Sequence, residues 1–236
     1  MMSLQSMLVE RREEYETHFA LASALQDRIF KENLSLGDFE LSARHLLTLQ
    51  SGLVIHLYNI VEATMTRASD LVGVAVGASA PRAWSKHALL EWLRKNAVLP
   101  LSAGEVTRLN TVHSVSVVLM ADSPPGTRTL KKPSGTWSDV QIETFAERLG
   151  VPFMIPSALE PRIEPQSRYG DVTPLCFLAK RRNDIAHGQR TFESGCNDLT
   201  LQDIQELADV VFDYLGVAAD AFQNYVDGQL YLAVVP

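Results

Sequence analysis

The last quarter of the chain carries the longest regular pattern of apolar residues, and this pattern constrains the fold more than any other feature. Apolar side chains recur there every three or four positions, at Leu201, Ile204, Leu207, Val211, Tyr214, Ala218, Ala221 and Tyr225. Acidic residues occupy the other side of the period. Such spacing is typical of an α-helix with one buried face. It predicts a helix over residues 201–226 that packs against other helices.

Helical periodicity recurs along the rest of the chain, so the predicted fold class is all-α. An N-terminal helix is predicted over residues 4–31, ended by a breaker at Gly37, and a longer one over residues 39–72. We interpret residues 1–38 as a helical arm that packs on a bundle formed by residues 39–236, with one domain overall. The second helix is apolar on nearly every side at its centre, which indicates a position in the core.

The middle of the chain contains shorter helices and a proline-rich insertion. Helices are predicted over residues 83–97, 102–120 and 138–149. Ser102 and Glu105 resemble a capping box, but the alternation near residue 120 also fits a strand. Four prolines in residues 151–171 exclude a continuous helix there.

One further helix is predicted directly after this insertion, over residues 173–187. Thr173 and Pro174 are typical of the first positions of a helix, and Gly188 is typical of the residue that ends one. We call this segment the motif helix. Its last part brings fixed positive charge, an amide and an imidazole together.

Three residues of the motif helix fit the cleavage of an RNA phosphodiester. Asn183 and His187 are four residues apart and share a face, and the long side chain of Arg182 reaches round to the same phosphate. His187 would transfer a proton, Arg182 would stabilise negative charge on the phosphate, and Asn183 would orient the group by hydrogen bonding. The alternative is that His187 has no catalytic role and only interacts favourably with the helix dipole at the C-terminal end of its helix.

The net charge of −7 belongs to one end of the chain. Residues 1–190 sum to +1, whereas residues 191–236 contain eight acids and no Lys or Arg. This balance argues against indiscriminate binding of nucleic acid but not against a local phosphate site. Lys180, Arg181 and Arg190 lie beside the motif, and we expect them to bind RNA or phosphate.

A polar stripe within the apolar second helix supplies candidate partners for these residues. It contains His56, Asn59, Glu62 and Thr66, and buried polar groups must be paired. We expect Glu62, Asn59 and Asp184 to orient Arg182 or His187. The alternative for Glu62 is a purely structural salt bridge to an arginine.

Composition excludes several other classes of protein. No run of about 18 apolar residues is present, and the N-terminus lacks a secretory pattern, so we expect a cytoplasmic protein without membrane contact. Cys176 and Cys196 are the two cysteines, which excludes a disulfide framework or a zinc knuckle. The histidines lack metal-ligand spacing and the glycines lack a phosphate-loop pattern, so neither a metal site nor a cofactor is predicted.

The run R-N-D-I-A-H, from Arg182 to His187, resembles the R-x(4–6)-H motif of the HEPN superfamily, in which a polar residue directly follows the Arg. The tracts LYNIVEATM and SGTWSDVQIETFAERLG and the long last helix also resemble its toxin-nuclease branch. This resemblance covers most of residues 40–227. It implies a HEPN-like helical bundle and a metal-independent endoribonuclease whose 2′-hydroxyl attack leaves a 2′,3′-cyclic phosphate.

The resemblance also implies partners. The chain would act on RNA as a toxin of a bacterial toxin–antitoxin or antiphage defence system, with a cognate antitoxin protein as inhibitor. It would form a homodimer through the motif helix, because two copies of His187 supply both an acid and a base. We expect that contact to bury Leu175, Leu178 and Ala179. The alternatives are a non-catalytic HEPN module that binds a nucleotide, RNA or a partner protein, and a pure assembly domain.

Overall fold

The computed structural model describes residues 3–31, 35–36, 39–121, 123–126, 130–131, 133 and 135–233. Within these ranges the chain forms eight α-helices and one short hairpin of two strands. The helices are α1 (Leu4–Lys31), α2 (Ala43–Gly77), α3 (Lys86–Asn96), α4 (Glu105–Met120), α5 (Asp139–Leu149), α6 (Glu160–Ile163), α7 (Pro174–Ala186) and α8 (Leu201–Asp227). The predicted all-α fold class is confirmed.

The start of the second helix differs from the prediction. The strands β1 (Ser35–Leu36) and β2 (Phe39–Glu40) pair antiparallel where its first turn was expected. α2 therefore begins at Ala43. The imidazole of His45 accepts a hydrogen bond from the backbone N–H of Ser42 at 3.0 Å, which satisfies a free donor at this helix start. The predicted breaker at Gly37 lies outside the described residues.

The segment before the motif helix is irregular, as its prolines predict. It contains only α6 and a single 3₁₀ turn, Ser167–Tyr169. Gly170 ends that turn with a left-handed φ of +73°. The backbone N–H of Gln166 then donates to the carbonyl of Val172 at 3.2 Å, which closes residues 166–172 into a compact loop.

The ambiguous segment before residue 120 is helical, so the strand alternative is wrong. α4 covers Glu105–Met120. The predicted capping box is also wrong, because Gly104 is the N-cap and no side chain caps the helix. Glu105 still lies in the first turn, where its charge is favourable to the helix dipole.

The chain divides into two compact units. The first comprises residues 1–64, 136–139 and 155–217, and the second comprises residues 65–135, 140–154 and 218–236. α1, which we predicted as an arm, belongs to the first unit together with α7. No helix in the described part of the chain is both long enough and apolar enough to cross a membrane.

The core of the first unit contains the apolar face of α8. Ile204, Leu207 and Val211 are fully buried, as the period of this helix predicts. Tyr15 of α1 is also buried, with its ring 5.8 Å from that of Phe212. Each such side chain contributes about 1.5–3 kcal/mol through removal of apolar surface from water. This core holds α1, α7 and the first part of α8 in one unit.

The second unit has its own core. The rings of Trp84 and Trp92 lie 5.7 Å apart, and the indole N–H of Trp84 donates to the carbonyl of Val76 at 2.9 Å. Glu91 is buried beside them and accepts hydrogen bonds from Arg94 and Arg148, each at 2.9 Å. These pairs satisfy a carboxylate that would otherwise be costly to bury.

Candidate functional site

The motif helix forms where its capping residues predict. The Thr173 side chain accepts a hydrogen bond from the backbone N–H of Cys176 at 3.2 Å, and Pro174 is the first helical residue. His187 is the C-cap of α7, and Gly188 follows it with a left-handed φ of +72°. Local capping chemistry therefore determines the position of the histidine at the end of this helix.

One face of α7 is buried within the chain. Leu175, Leu178 and Ala179 are at most 5% exposed. Our expectation that a dimer contact buries these three side chains is therefore wrong, because they are already buried within the single chain.

The opposite face of α7 is polar. Lys180 and His187 are exposed there, and Asn183 and Asp184 are half-buried between them. Residues at spacings of three, four and seven lie along one side of a helix. We call these four residues the exposed stripe of α7.

Arg182 directly precedes Asn183 of the exposed stripe, and three groups hold its guanidinium. Its Nη2 donates to Oε2 of Glu62 at 2.8 Å, and its Nη1 donates to Oδ1 of Asn183 at 2.9 Å. Its Cζ atom lies 4.5 Å from the ring centroid of Tyr58. The side chain keeps 23% exposure, so the group is oriented but still open to solvent. Such a fixed cation is suited to binding an anion with little reorganisation.

A layer of contacts supports this arginine. The backbone N–H of Trp137 donates to the hydroxyl of Tyr58 at 2.9 Å, and Nδ2 of Asn183 donates to Oγ1 of Thr136 at 3.2 Å. Burial, with a smaller effect of Glu62, raises the pKa of Tyr58 to about 12. The phenol therefore stays neutral near pH 7. The sequence reasoning missed Tyr58 and Thr136, although Tyr58 lies four residues before Glu62 and so on the same side of α2.

The remaining residues of the predicted polar stripe are placed differently. Glu62 is 39% exposed and Asn59 is exposed, so the expectation that both are buried is wrong. In the described part of the chain Asn59 makes no hydrogen bond to Arg182 or His187. His56 instead contacts His18, with 3.1 Å between the two Nδ1 atoms. In the described ranges no three His, Cys, Asp or Glu side chains are grouped as metal ligands.

His187 presents its ring to solvent. Its backbone N–H donates to the carbonyl of Asn183 at 2.9 Å, but the imidazole has no hydrogen-bond partner within the described part of the chain. The ring is therefore available to an external ligand. The helical spacing places it next to Asn183 on the exposed stripe of α7.

The three neighbouring basic residues have different environments. Arg181 is buried, and its Nη1 and Nη2 bind both carboxylate oxygens of Asp198, with Nη2–Oδ2 at 2.7 Å. Its Nη1 also donates to the carbonyl of Gly195 at 2.6 Å. Arg181 thus holds residues 195–198 against α7. We predicted that Arg181 binds RNA, but its burial and these contacts leave it poorly placed to do so. Lys180 is exposed, and Arg190 donates to the carbonyl of Ser194 at 3.1 Å.

We predict that Asp198→Asn destabilises the protein by about 1–2 kcal/mol, because it weakens the partner of a buried guanidinium while Asp198 itself is partly exposed. The hydrogen bonds from Arg181 lower the pKa of Asp198. The stabilisation is therefore present above the unfolded pKa of about 4 and is lost as the pH falls through the lowered value. Urea unfolding between pH 7 and pH 2 measures both effects.

The matched control for this prediction is Asp213→Asn. Asp213 pairs with Arg162, and both side chains are more than 40% exposed. We expect a change within about 0.5 kcal/mol there. Equal destabilisation by the two variants would contradict the structural role of the pair formed by Arg181 and Asp198.

Comparison with known proteins gives one match. A family model described as MAE_28990-like HEPN matches residues 2–231. No curated protein and no solved structure matches the chain. The match covers both compact units and includes the whole of α7.

Proposed function

We propose that this chain, which belongs to the HEPN family, is a metal-independent endoribonuclease. The observation that carries the proposal is the guanidinium of Arg182, which Glu62, Asn183 and Tyr58 hold in place on α7, a helix whose C-cap is the exposed His187. In this proposal Arg182 binds the scissile phosphate and His187 transfers a proton. Asn183 orients Arg182 through its side-chain oxygen.

The geometry of Arg182 supports binding of a phosphate. A guanidinium has five N–H groups, and the contacts with Glu62 and Asn183 use only part of them. The remaining donors can bind two phosphate oxygens as a planar fork. Because its other contacts already orient the group, this binding requires little loss of side-chain freedom.

The proposed reaction is a transesterification. The 2′-hydroxyl loses its proton and attacks the adjacent phosphorus, so a bond forms between O2′ and phosphorus. The bond from phosphorus to the 5′ oxygen breaks, and that oxygen takes up a proton. The products are a 2′,3′-cyclic phosphate and a 5′-hydroxyl end. His187 serves one of the two proton transfers, and Arg182 stabilises the charge on the non-bridging oxygens.

A homodimer would supply the second imidazole. We propose that the exposed stripes of α7 from two copies face each other about a two-fold axis, so that two His187 rings flank one phosphate. One chain has a mass of 26.1 kDa, and light scattering should then give twice that value. A monomer that still cleaves RNA would contradict the shared site.

The function itself is tested by incubating the purified protein with single-stranded RNA, with and without EDTA. We expect equal cleavage in both reactions and products that carry 2′,3′-cyclic phosphate and 5′-hydroxyl ends. Cleavage that EDTA abolishes would contradict the metal-independent mechanism. The absence of any cleavage would contradict the ribonuclease proposal.

One observation favours a second candidate function. Glu62 pairs with Arg182 and so offsets the positive charge that catalysis would use. A site of this kind also suits a non-catalytic module that binds RNA or a nucleotide. Comparison of rate and affinity in variants of the site distinguishes the two functions.

The biological role that we propose is that of a cytoplasmic toxin in a toxin–antitoxin or antiphage system. A cognate antitoxin protein would then block the exposed stripe of α7 until the toxin is needed. This role rests on the similarity to the toxin-nuclease branch of the family.

We predict that Glu62→Gln lowers kcat about 10-fold and changes KM little, because Arg182 keeps its charge but loses a charge-assisted hydrogen bond that orients it. Glu62 is in this sense a positioning residue. Steady-state cleavage of a short RNA measures kcat and KM separately.

The control for this variant is Glu14→Gln, which removes an exposed ion pair with Arg11 on α1. It should leave both constants unchanged. A rise in KM with unchanged kcat in Glu62→Gln would show that Glu62 contributes to RNA binding instead of orienting the catalytic arginine.

A further inference from the structure

A second basic site adjoins the exposed stripe of α7, within the first compact unit, and shares Lys180 and Asp184 with it. It is a cavity of about 230 Å³. α7 contributes Phe177, Lys180, Arg181 and Asp184 to its wall. The loop of residues 166–172 contributes Arg168 and Tyr169, and the segment after α7 contributes Arg190 and Asp198.

The charge of the cavity wall is opposite to that of the whole chain. Four basic side chains and two carboxylates line it, although the chain carries a net charge of −7. Arg181 pairs with Asp198, Arg190 lies 3.7 Å from the same carboxylate, and Arg168 pairs with Glu206 beside the cavity. Asp184 would repel an anion. It lies four residues after Lys180 on the same helix face, and the positive charge of Lys180 offsets this repulsion. With Glu206 counted, one positive charge remains at the cavity, so the site attracts a negatively charged group although the whole chain is acidic.

Several donors in this wall are not engaged within the described part of the chain. The ammonium of Lys180 has no hydrogen bond or ion pair there. The Nε of Arg168 donates to Gln166 and its Nη1 donates to Glu206, so its Nη2 is left there as a donor without a hydrogen bond. The Nη1 of Arg190 donates to the carbonyl of Ser194 and lies 3.7 Å from Oδ1 of Asp198, and its Nη2 makes no hydrogen bond to any described residue. These remaining donors can bind the oxygens of a phosphate.

The wall is also rigid, because its guanidinium groups stack on aromatic rings. The Cζ of Arg168 lies 4.8 Å from the ring centroid of Tyr169, and that ring is 4.9 Å from the ring of Phe177. The Cζ of Arg181 lies 4.7 Å from the ring centroid of Phe177. Tyr169 and Phe177 are both buried. Such cation–π contacts hold the charges in place before a ligand binds.

The position of the cavity around α7 relates it to the candidate site. At about 100° per residue, His187 falls between Asn183 and Lys180 around the helix. Lys180 lies two helical turns before His187, about 10 Å along the axis. A nucleic-acid strand that runs along the exposed stripe of α7 from His187 would thus reach the cavity wall at Lys180. We infer that the cavity binds a backbone phosphate of the RNA further along the strand from the phosphate at His187.

This inference rests on the proposed ribonuclease function, since it assigns a further part of the same substrate. The cavity would take the phosphate and leave the bases outside, so it would increase affinity without selecting a sequence. A free mononucleotide could present the same phosphate. The experiment therefore includes a mononucleotide arm.

The test measures binding of a fluorescent single-stranded RNA whose 2′-hydroxyls are methylated, so that it cannot be cleaved. We expect Lys180→Gln to raise the Kd about 5-fold at low salt and to reduce the slope of log K against log salt by about 1. The control Lys86→Gln removes an exposed lysine of α3 in the second unit and should change neither. Adenosine monophosphate at millimolar concentration should not displace the RNA.

Two results would overturn the inference. In one, Lys180→Gln and Lys86→Gln change RNA binding equally. In the other, adenosine monophosphate binds tightly to the wild type but not to Lys180→Gln, which would assign the cavity to a free nucleotide. Because the probe cannot be cleaved, these results do not depend on catalysis. Failure of the ribonuclease proposal would appear separately, as absence of cleavage of natural RNA.

Discussion

Replacing His187 with alanine is expected to lower the rate of RNA cleavage by about 10²- to 10⁴-fold, the usual contribution of a general acid or base. The imidazole is exposed and makes no hydrogen bond within the described residues, so its removal breaks no internal hydrogen bond. Stability should therefore stay the same. RNA affinity should change little, because a neutral imidazole adds little to the binding of a ground-state phosphate. Single-turnover cleavage and binding to non-cleavable RNA measure the two quantities.

His113→Ala is the matched control for this prediction. His113 is also exposed on a helix, α4, but belongs to the second compact unit. It should retain the wild-type rate. Expression in a bacterial host supplies a second measurement: the wild type should arrest growth, and His187→Ala should not. Equal toxicity of the two proteins would contradict a catalytic role for His187.

Replacing Arg182 with lysine is expected to lower the cleavage rate by about 10²-fold or more, the effect of losing one donor that stabilises transition-state charge. Lysine keeps the positive charge but lacks the planar fork. It cannot hold Glu62, Asn183 and a phosphate in the geometry that the guanidinium provides. Affinity for RNA should fall much less than the rate, because the charge is retained. The same two assays, rate and binding, measure the difference.

Arg44→Lys is the control for the loss of a guanidinium. Arg44 forms an exposed ion pair with Glu193, so its replacement should leave rate and affinity unchanged. If Arg182→Lys and His187→Ala each lose rate and affinity in the same proportion, the motif serves to bind RNA. That result would support the non-catalytic alternative and contradict the nuclease.

Part of the site follows from local sequence. Thr173, Pro174 and Gly188 predict both ends of α7, because capping involves only residues within one turn of the helix. The sequence also predicted that Glu62 pairs with an arginine, although that argument assumed a buried carboxylate and Glu62 is 39% exposed. The start of α2 was predicted less well. There, the hairpin that replaces its first turn depends on pairing between two short segments.

The sequence by itself determined the helical class, the period of α8 and the end of α7 at His187. The tertiary structure alone decided which of two adjacent arginines is buried. Arg181 and Arg182 have the same local sequence, but a rotation of about 100° separates them around α7. One therefore faces Asp198 and the other faces Glu62 and Tyr58. The direction in which each residue points is set by the packing of α7 in the first unit, and packing depends on contacts between residues distant in sequence.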